Sequence, residues 1–376
     1  MQNINFFPEN SDIKSKTILL RLDFNVPIKE KIIQDETRID LCLPFLKLLI
    51  KKKAKIIIIS HLGRPKGKKI PELSLTPIYK YLKKKLDTNV YFFMGELDNQ
   101  IKEKFSYQKE SEIILMENIR FFNEEETNDD AFSKKLASIC DIYINDAFSC
   151  SHREQASIHK IAKYSNESYA GPLLKKEIEA IDLVLKNKKR PVTCIIGGSK
   201  ISTKIKVITN LIKEIDSLII VGAMANNFIY FNGYGIGKSL KEENSTEIIS
   251  NIIEYAKNKN CEILVPQDCK VGKELSGEGK NVELKDISEN DIILDIGKRT
   301  IESICKKIDI SKTVLWNGPA GYFENNNFRE GTMSIAKKIS DKTKSESLIS
   351  ILGGGDTLSA INKSKEKLSF THLSTA

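Results

Sequence analysis

Arginines at four separated points are the first sign of chemistry in this sequence. Arg38, Arg64, Arg120 and Arg153 each come after a different short apolar run. A guanidinium binds phosphate or carboxylate through a planar fork, and a small polyanion needs several forks converging on it. Asp23 and Asn25 stand at the end of the first run and His61 at the end of the second. The set reads as one shared anion site. A second group lies past the middle of the chain. The run from Val192 to Ile196 ends in Gly197-Gly198, and Lys200 and Lys204 follow, four apart. A strand, a glycine turn and a helix start point unpaired N–H groups and a helix dipole at an anion. Lysines one turn apart there suit a polyphosphate. Taken alone, the stretch reads equally well as a solvated lysine pair beside an ordinary βα turn. Glycine then recurs after later runs, at Gly222, Gly318-Pro-Ala-Gly321 and Gly353-Gly-Gly-Asp-Thr357. Singly each is a tight turn. Four in one half of the chain suggest a nucleotide site, where backbone approaches the ligand closely and Asp356 could hold Mg2+.

Other motifs carry less. Gly233-Tyr-Gly-Ile-Gly-Lys-Ser239 resembles a phosphate-binding P-loop, but that motif needs glycine where Asn232 stands. The triple glycine is not G-x-G-x-x-G, and no acidic residue follows the second strand in support, which argues against a nicotinamide-dependent dehydrogenase. Glu124-Glu-Glu126 reads as the solvated acidic first turn of a helix. The seven cysteines are scattered without a C-x-x-C pair, so neither a disulfide framework nor a zinc site is indicated. Cys150-Ser-His152 lacks the second pair that a metal site needs. The net charge of +9 is spread along helical faces, and an aromatic content of 7% does not suit a nucleic-acid surface. No apolar run approaches membrane-spanning length. The stretch Met1–Pro8 lacks a basic segment followed by an apolar one, so a cytoplasmic protein with no nucleic-acid or membrane partner is expected.

The elements that must position these residues follow a simple pattern. Strands are expected at 17–24, 55–60, 113–116 and 142–144, then at 192–196, 218–221, 263–265, 313–315 and 348–352. Helical patterns lie between most of them. Runs apolar on both faces, separated by helices, predict parallel sheets covered on both sides, an α/β fold. Between the halves, Gly171-Pro172 opens a helical pattern with Leu174, Ile178, Ile181 and Leu185 on one stripe. It reads as one helix joining two domains, giving an N-terminal domain 1–170, a connecting segment 171–190 and a C-terminal domain 191–376.

The order and spacing of the motifs resemble the phosphoglycerate kinase family over essentially the whole length. The matches are Arg21-Leu-Asp-Phe-Asn-Val-Pro27, Ser60-His-Leu-Gly-Arg-Pro65, Glu117-Asn-Ile-Arg-Phe121, Asn145-Asp-Ala-Phe148 with His152-Arg153, Gly197-Gly-Ser-Lys-Ile-Ser-Thr-Lys204, Trp316-Asn-Gly-Pro319, Gly353-Gly-Gly-Asp-Thr357 and Thr371-His-Leu-Ser-Thr375. The resemblance implies two Rossmann-like three-layer α/β/α domains with parallel sheets, joined by an interdomain helix that acts as a hinge. It implies reversible phosphoryl transfer between 1,3-bisphosphoglycerate and ADP, giving 3-phosphoglycerate and ATP, by a cytoplasmic monomer. The first domain would hold the phosphoglycerate through Asp23, Phe24, Asn25, Arg38, His61, Leu62, Gly63, Arg64, Arg120 and Arg153. The second would hold MgADP or MgATP through Lys204, Glu324, Gly354, Gly355, Asp356 and Thr357, with Asp356 on the metal and Glu324 on the ribose. Arg38 and Lys200 match the cations that flank the phosphoryl group in transit. The family usually has three glycines where this sequence has Val221-Gly222-Ala223, so a tighter adenine pocket is expected. Family members also continue past the Ser-Thr motif into a tail that returns to the first domain. The sequence ends at Ala376, and a chain ending there is expected to close poorly and turn over slowly.

Overall fold

Short runs of Ile, Leu and Val, too brief for helices and apolar on both faces, build two parallel sheets. The computed structural model describes residues 4–374 except positions 99, 187 and 365, with backbone alone at 183–186 and 203. The chain forms two compact units, Met1–Glu179 and Ala180–Ala376, and the boundary falls inside the helix Pro172–Lys186. Thr375 of the last motif lies outside the described residues, as does the side chain of Leu185 in the expected helical stripe. Ile181 of that stripe is 40% exposed.

In the first unit the strands are β1 (Thr17–Arg21), the hairpin β2 (Ile28–Lys29) and β3 (Ile32–Ile33), β4 (Lys55–Ile59), β5 (Val90–Phe93), β6 (Ile113–Met116), β7 (Ile142–Asn145) and β8 (Glu167–Ala170). Six of them form one sheet in the order β5-β6-β4-β1-β7-β8, every pair parallel. Because successive side chains point to opposite faces, the strands feed two cores. Ile18, Leu20, Ile56, Ile58, Leu115 and Ile144 pack on one face. Leu19, Ile57, Ile59, Ile114, Met116 and Tyr143 pack on the other. β1 ends at Arg21, earlier than the expected 17–24, although the Leu22 N–H still reaches the Ile59 carbonyl at 3.1 Å. Asp23 and Asn25 therefore sit on a loop beyond the sheet. β5 and β8 are half-exposed edge strands; β8 mixes polar with apolar residues, which hides it from a search for apolar runs, whereas Val90–Phe93 is an apolar run that the expected strands did not include.

The second unit repeats the plan with β9 (Val192–Ile196), β10 (Ser217–Ile220), β11 (Glu262–Leu264), β12 (Asp268–Gly272), β13 (Lys280–Glu283), β14 (Ile292–Ile296), β15 (Thr313–Asn317), β16 (Ile349–Gly353) and β17 (His372–Leu373). The parallel sheet runs β11-β10-β9-β15-β16-β17. Val192, Cys194, Ile196, Leu218 and Ile220 face one core, and Ile195, Ile219, Val314, Trp316 and Leu352 the other. A separate antiparallel sheet, β13-β12-β14, was not expected, because its strands are short and mix polar with apolar residues. Among the described residues no helix is long and apolar enough to cross a membrane, and the cysteines form no disulfide.

Candidate active site

Ligands of doubly wound sheets bind beyond the carboxyl ends of the strands. In the first unit, β6, β4, β1 and β7 lie side by side, and the segments leaving them bring the expected residues together. Asp23 Oδ2 accepts from Arg38 Nη1 at 3.0 Å and from the Ser149 hydroxyl. The same Arg38 nitrogen reaches the Asn25 carbonyl at 2.9 Å. Asn25 Oδ1 accepts from the Gly63 N–H at 2.9 Å, and the Gly63 carbonyl accepts from Arg120 Nη1 at 2.7 Å. Arg120 also donates to Gln155 at 3.3 Å, while its Nε is buried without a partner among the described residues. Phe24 and Leu62 are core side chains, so they offer backbone alone. Arg153 is half-buried and Arg64 is exposed.

His61 is nearly buried and sits at the centre. Burial lowers its pKa far below the ordinary value, and the charges of Arg21, Arg120, Arg153 and Arg38 lower it further. Arg21 Nη2 stands 3.1 Å from His61 Nδ1. A guanidinium can only donate, so Nδ1 accepts and the ring proton lies on Nε2. Asp23, His61 and Cys150 each bring one ligand-type atom within 4.8 Å of the others. The four surrounding guanidiniums make this a place for an anion rather than a cation. His152, the other half of the Cys-Ser-His stretch, is exposed.

Two residues here escaped sequence reasoning. Arg21, the last residue of β1, is fully buried; its Nε donates to Ser157 Oγ at 3.1 Å and Nη1 donates to the Leu22 carbonyl. Ser157 in turn donates its N–H and hydroxyl to Glu125 at 2.8 and 2.6 Å. Glu125 is fully buried, which corrects the expected solvated acidic turn at that one position, while Glu124 and Glu126 are exposed in the helix Asn123–Glu126. Burial raises its pKa, and the Arg21 charge and the Ser157 hydrogen bonds oppose that rise. The available signal was a charged residue ending an apolar strand.

In the second unit the glycine segments pack on one another. Gly318 has φ +97, and a Cβ there would lie 2.5 Å from the Gly197 carbonyl carbon. Lys204 Nζ donates to the Gly197 carbonyl at 2.7 Å and to Asn317 Oδ1 at 3.0 Å. Burial lowers the Lys204 pKa, and the charge of Asp356 pulls against that shift. Asp356 and Gly355 are exposed on the first turn of the helix Gly355–Asn362, and Gly354 caps it. The Thr357 hydroxyl is buried and accepts from the Gly318 N–H at 2.7 Å, so it ties two glycine segments together. A cavity of about 360 Å3 adjoins them, lined by Gly222, Ala223, Ile229, Leu240 and Leu275, with Glu324 and Asp356 also on its wall.

The expected helix start is corrected. The segment Ser202–Lys204 is a 3-10 turn and the α-helix runs Ile205–Ile212, so Lys200 lies in the preceding loop and the two lysines are not one helical turn apart. The N–H groups of Ile201 and Ser202 already donate to Glu242 Oε2, at 2.6 and 3.0 Å. The P-loop-like stretch packs against another loop: a Cβ at Gly237 would stand 2.3 Å from the Asp291 carbonyl oxygen, and that oxygen accepts from the Lys238 N–H at 2.7 Å. Asn317, inside the Trp316–Pro319 motif, is not among the expected site residues, and Glu242 is a single polar residue with no local pattern to mark it.

Two parallel-sheet α/β units, with cations at the strand ends of the first and glycine segments at those of the second, define a two-domain α/β phosphotransferase. Known proteins are consistent with this. The phosphoglycerate kinase family model matches residues 9–376. A phosphoglycerate kinase of Wolbachia pipientis wMel is 44% identical over 369 residues, covering 98% of this chain and 92% of its own. One from Finegoldia magna is 43% identical over 368 residues, covering 97% and 92%. The structure of phosphoglycerate kinase from Coxiella burnetii superposes with a TM-score of 0.83 at 36% identity, covering 97% of this chain and 92% of that one. The chain belongs to the phosphoglycerate kinase family.

Proposed function

We propose that the chain carries out the family's reaction, reversible phosphoryl transfer between 1,3-bisphosphoglycerate and ADP to give 3-phosphoglycerate and ATP, with the phosphoglycerate on the first unit and the nucleotide on the second. The observation that carries the assignment is the group of arginines gathered around a neutral His61. In the forward direction a β-phosphate oxygen of ADP forms the new P–O bond while the acyl P–O bond breaks. The leaving group is a carboxylate, stable as an anion at neutral pH, so no general acid or base is needed. Catalysis reduces to holding the groups and neutralising the transferring phosphoryl group.

In this reading Arg38, Arg64, Arg120 and Arg153 take the anionic groups of the glycerate, and His61 Nε2–H and Asn25 add neutral contacts. Asp23 orients Arg38 through their 3.0 Å ion pair. Lys204 takes the nucleotide phosphates together with the N–H groups of Gly354 and Gly355, Glu324 takes the ribose, and the apolar cavity takes adenine. Lys200 and Arg38 neutralise the phosphoryl group in transit. The exposed carboxylate of Asp356, close enough to act on Lys204, fits a Mg2+ ion, which prefers one carboxylate plus phosphate and water oxygens. Mg2+ bound there would add positive charge to the phosphates. The finer assignments of a monomer and a cytoplasmic location belong to this proposal and are open to sedimentation and fractionation. A coupled assay with bisphosphoglycerate and ADP tests the activity. ATP formation is the expected result, and its absence with folded protein and Mg2+ would refute the reading.

A further inference from the structure

We propose that Glu242 is a positioning residue that acts through Lys200. Its carboxylate takes the two N–H groups of the loop and 3-10 turn directly after Lys200, ahead of the helix Ile205–Ile212. The inference rests on the assignment of Lys200 to the transferring phosphoryl group. Glu242 Oε2 accepts from the N–H groups of Ile201 and Ser202 at 2.6 and 3.0 Å, and Oε1 accepts from the Ser202 hydroxyl at 2.5 Å. These are the two residues directly after Lys200. Burial works against the ionised carboxylate, yet the Ser202 and Ile201 hydrogen bonds and the Lys200 charge hold it below the ordinary glutamate range. Three hydrogen bonds therefore fix the backbone from which the exposed Lys200 side chain extends.

Glu242 is itself delivered by a built strap. Two neighbouring asparagines, each 1% exposed, grip the strap from the helix Ala225–Phe231. Asn226 Nδ2 donates to the Leu240 carbonyl at 2.9 Å, and Asn227 Oδ1 accepts from the Glu242 N–H at 2.8 Å. Between them, Lys241 Nζ lies 3.6 Å from the centre of the Tyr230 ring. A surface carboxylate that merely solvates a turn does not need consecutive residues of its own segment clamped in this way. The strap follows directly on the P-loop-like stretch 233–239. That stretch serves as its mount, through the Ser239 hydroxyl that accepts from the Ile293 N–H at 2.8 Å.

A cap whose only role is structural would change stability and the active fraction, and would leave turnover per active site alone. A positioning role predicts a kcat effect that disappears when Lys200 is absent. Glu242→Ala is expected to lower kcat by roughly tenfold to a hundredfold, the scale of a side chain displaced by about 1 Å, with nucleotide KM within about threefold. Glu242→Gln keeps an oxygen for the two N–H groups and is expected to recover most of the loss. Rates are normalised to MgADP-binding sites counted by calorimetry. In a Lys200→Ala background, Glu242→Ala is expected to cost less than about twofold. Multiplicative losses in the double variant, or wild-type kcat in Glu242→Ala, overturn the inference. Wild-type kcat in Lys200→Ala alone overturns instead the assignment of Lys200. If Glu242→Ala does not fold, Glu242→Asp, whose shorter side chain withdraws the carboxylate from the two N–H groups, carries the same cycle.

Discussion

Arg21 offers the sharpest test of how the first unit holds its site. Its guanidinium has no solvent exposure and sits among Ser157, His61 and the Leu22 carbonyl, with Glu125 as the buried negative charge beyond Ser157. Replacing it by methionine fills much of the volume and removes the charge. Glu125 is then a buried carboxylate without its cation, and the Leu22 carbonyl and His61 Nδ1 lose a donor. Removing one partner of a buried charged pair costs about 3–5 kcal/mol. For a domain of this size each kcal/mol moves Tm by about 2–4 °C, so the transition of the first unit should fall by roughly 6–20 °C in calorimetry. Adding Glu125→Gln should return a large part of that loss, because the stranded charge is gone. The His61 ring should also titrate higher in the Arg21→Met protein by NMR, since Arg21 is the largest of the charges that depress it. A Tm within about 2 °C of the parent protein, or no gain from Glu125→Gln, would refute the network.

Arg38→Lys keeps the charge and loses the planar guanidinium, whose Nη1 is held by Asp23 and the Asn25 carbonyl, so kcat in the coupled assay should fall at least about tenfold; full activity would show that a point charge suffices. Asp146 is buried, and burial lifts its carboxyl from 3.8 to about 7 against the Leu174 and Leu173 N–H groups it accepts. The folded chain therefore keeps a proton that the unfolded chain loses in that window, and stability falls as pH rises through it. Asp146→Asn, which still accepts from Leu174, should raise Tm over the parent at pH 8 and lose that advantage toward pH 4; an equal difference at both would contradict the assignment. His61 contributes with the opposite sign, since a base held neutral costs stability as pH falls below about 6.5, and it does so equally in both proteins. Asp356→Asn should raise the Mg2+ concentration needed for half-maximal rate several-fold while leaving the bisphosphoglycerate KM unchanged, read by metal titration of initial rates.

How much was legible depended on whether a residue's role is local. The runs 113–116 and 192–196 are strands with those bounds because short runs that are apolar but for Thr193 are stable only between two covered faces. The family motifs keep their order along the chain, so the family and the expected site residues could be read without coordinates. Arg38, Arg120 and Arg153 could be nominated because each follows a strand pattern. Tertiary structure decided what those residues meet. Arg21 belongs to the site because β1 lies beside β4 and aims it at His61. Glu125 is buried because Ser157, from another segment, offers it two donors. The anion site at Ile201 and Ser202 belongs to Glu242 because the strap is clamped across it from a distant helix. A periodic pattern records which face of an element is covered, a property of neighbours three or four residues apart. It carries no record of which side chain, dozens of residues away, arrives to take an N–H group, because that choice is made by packing between elements.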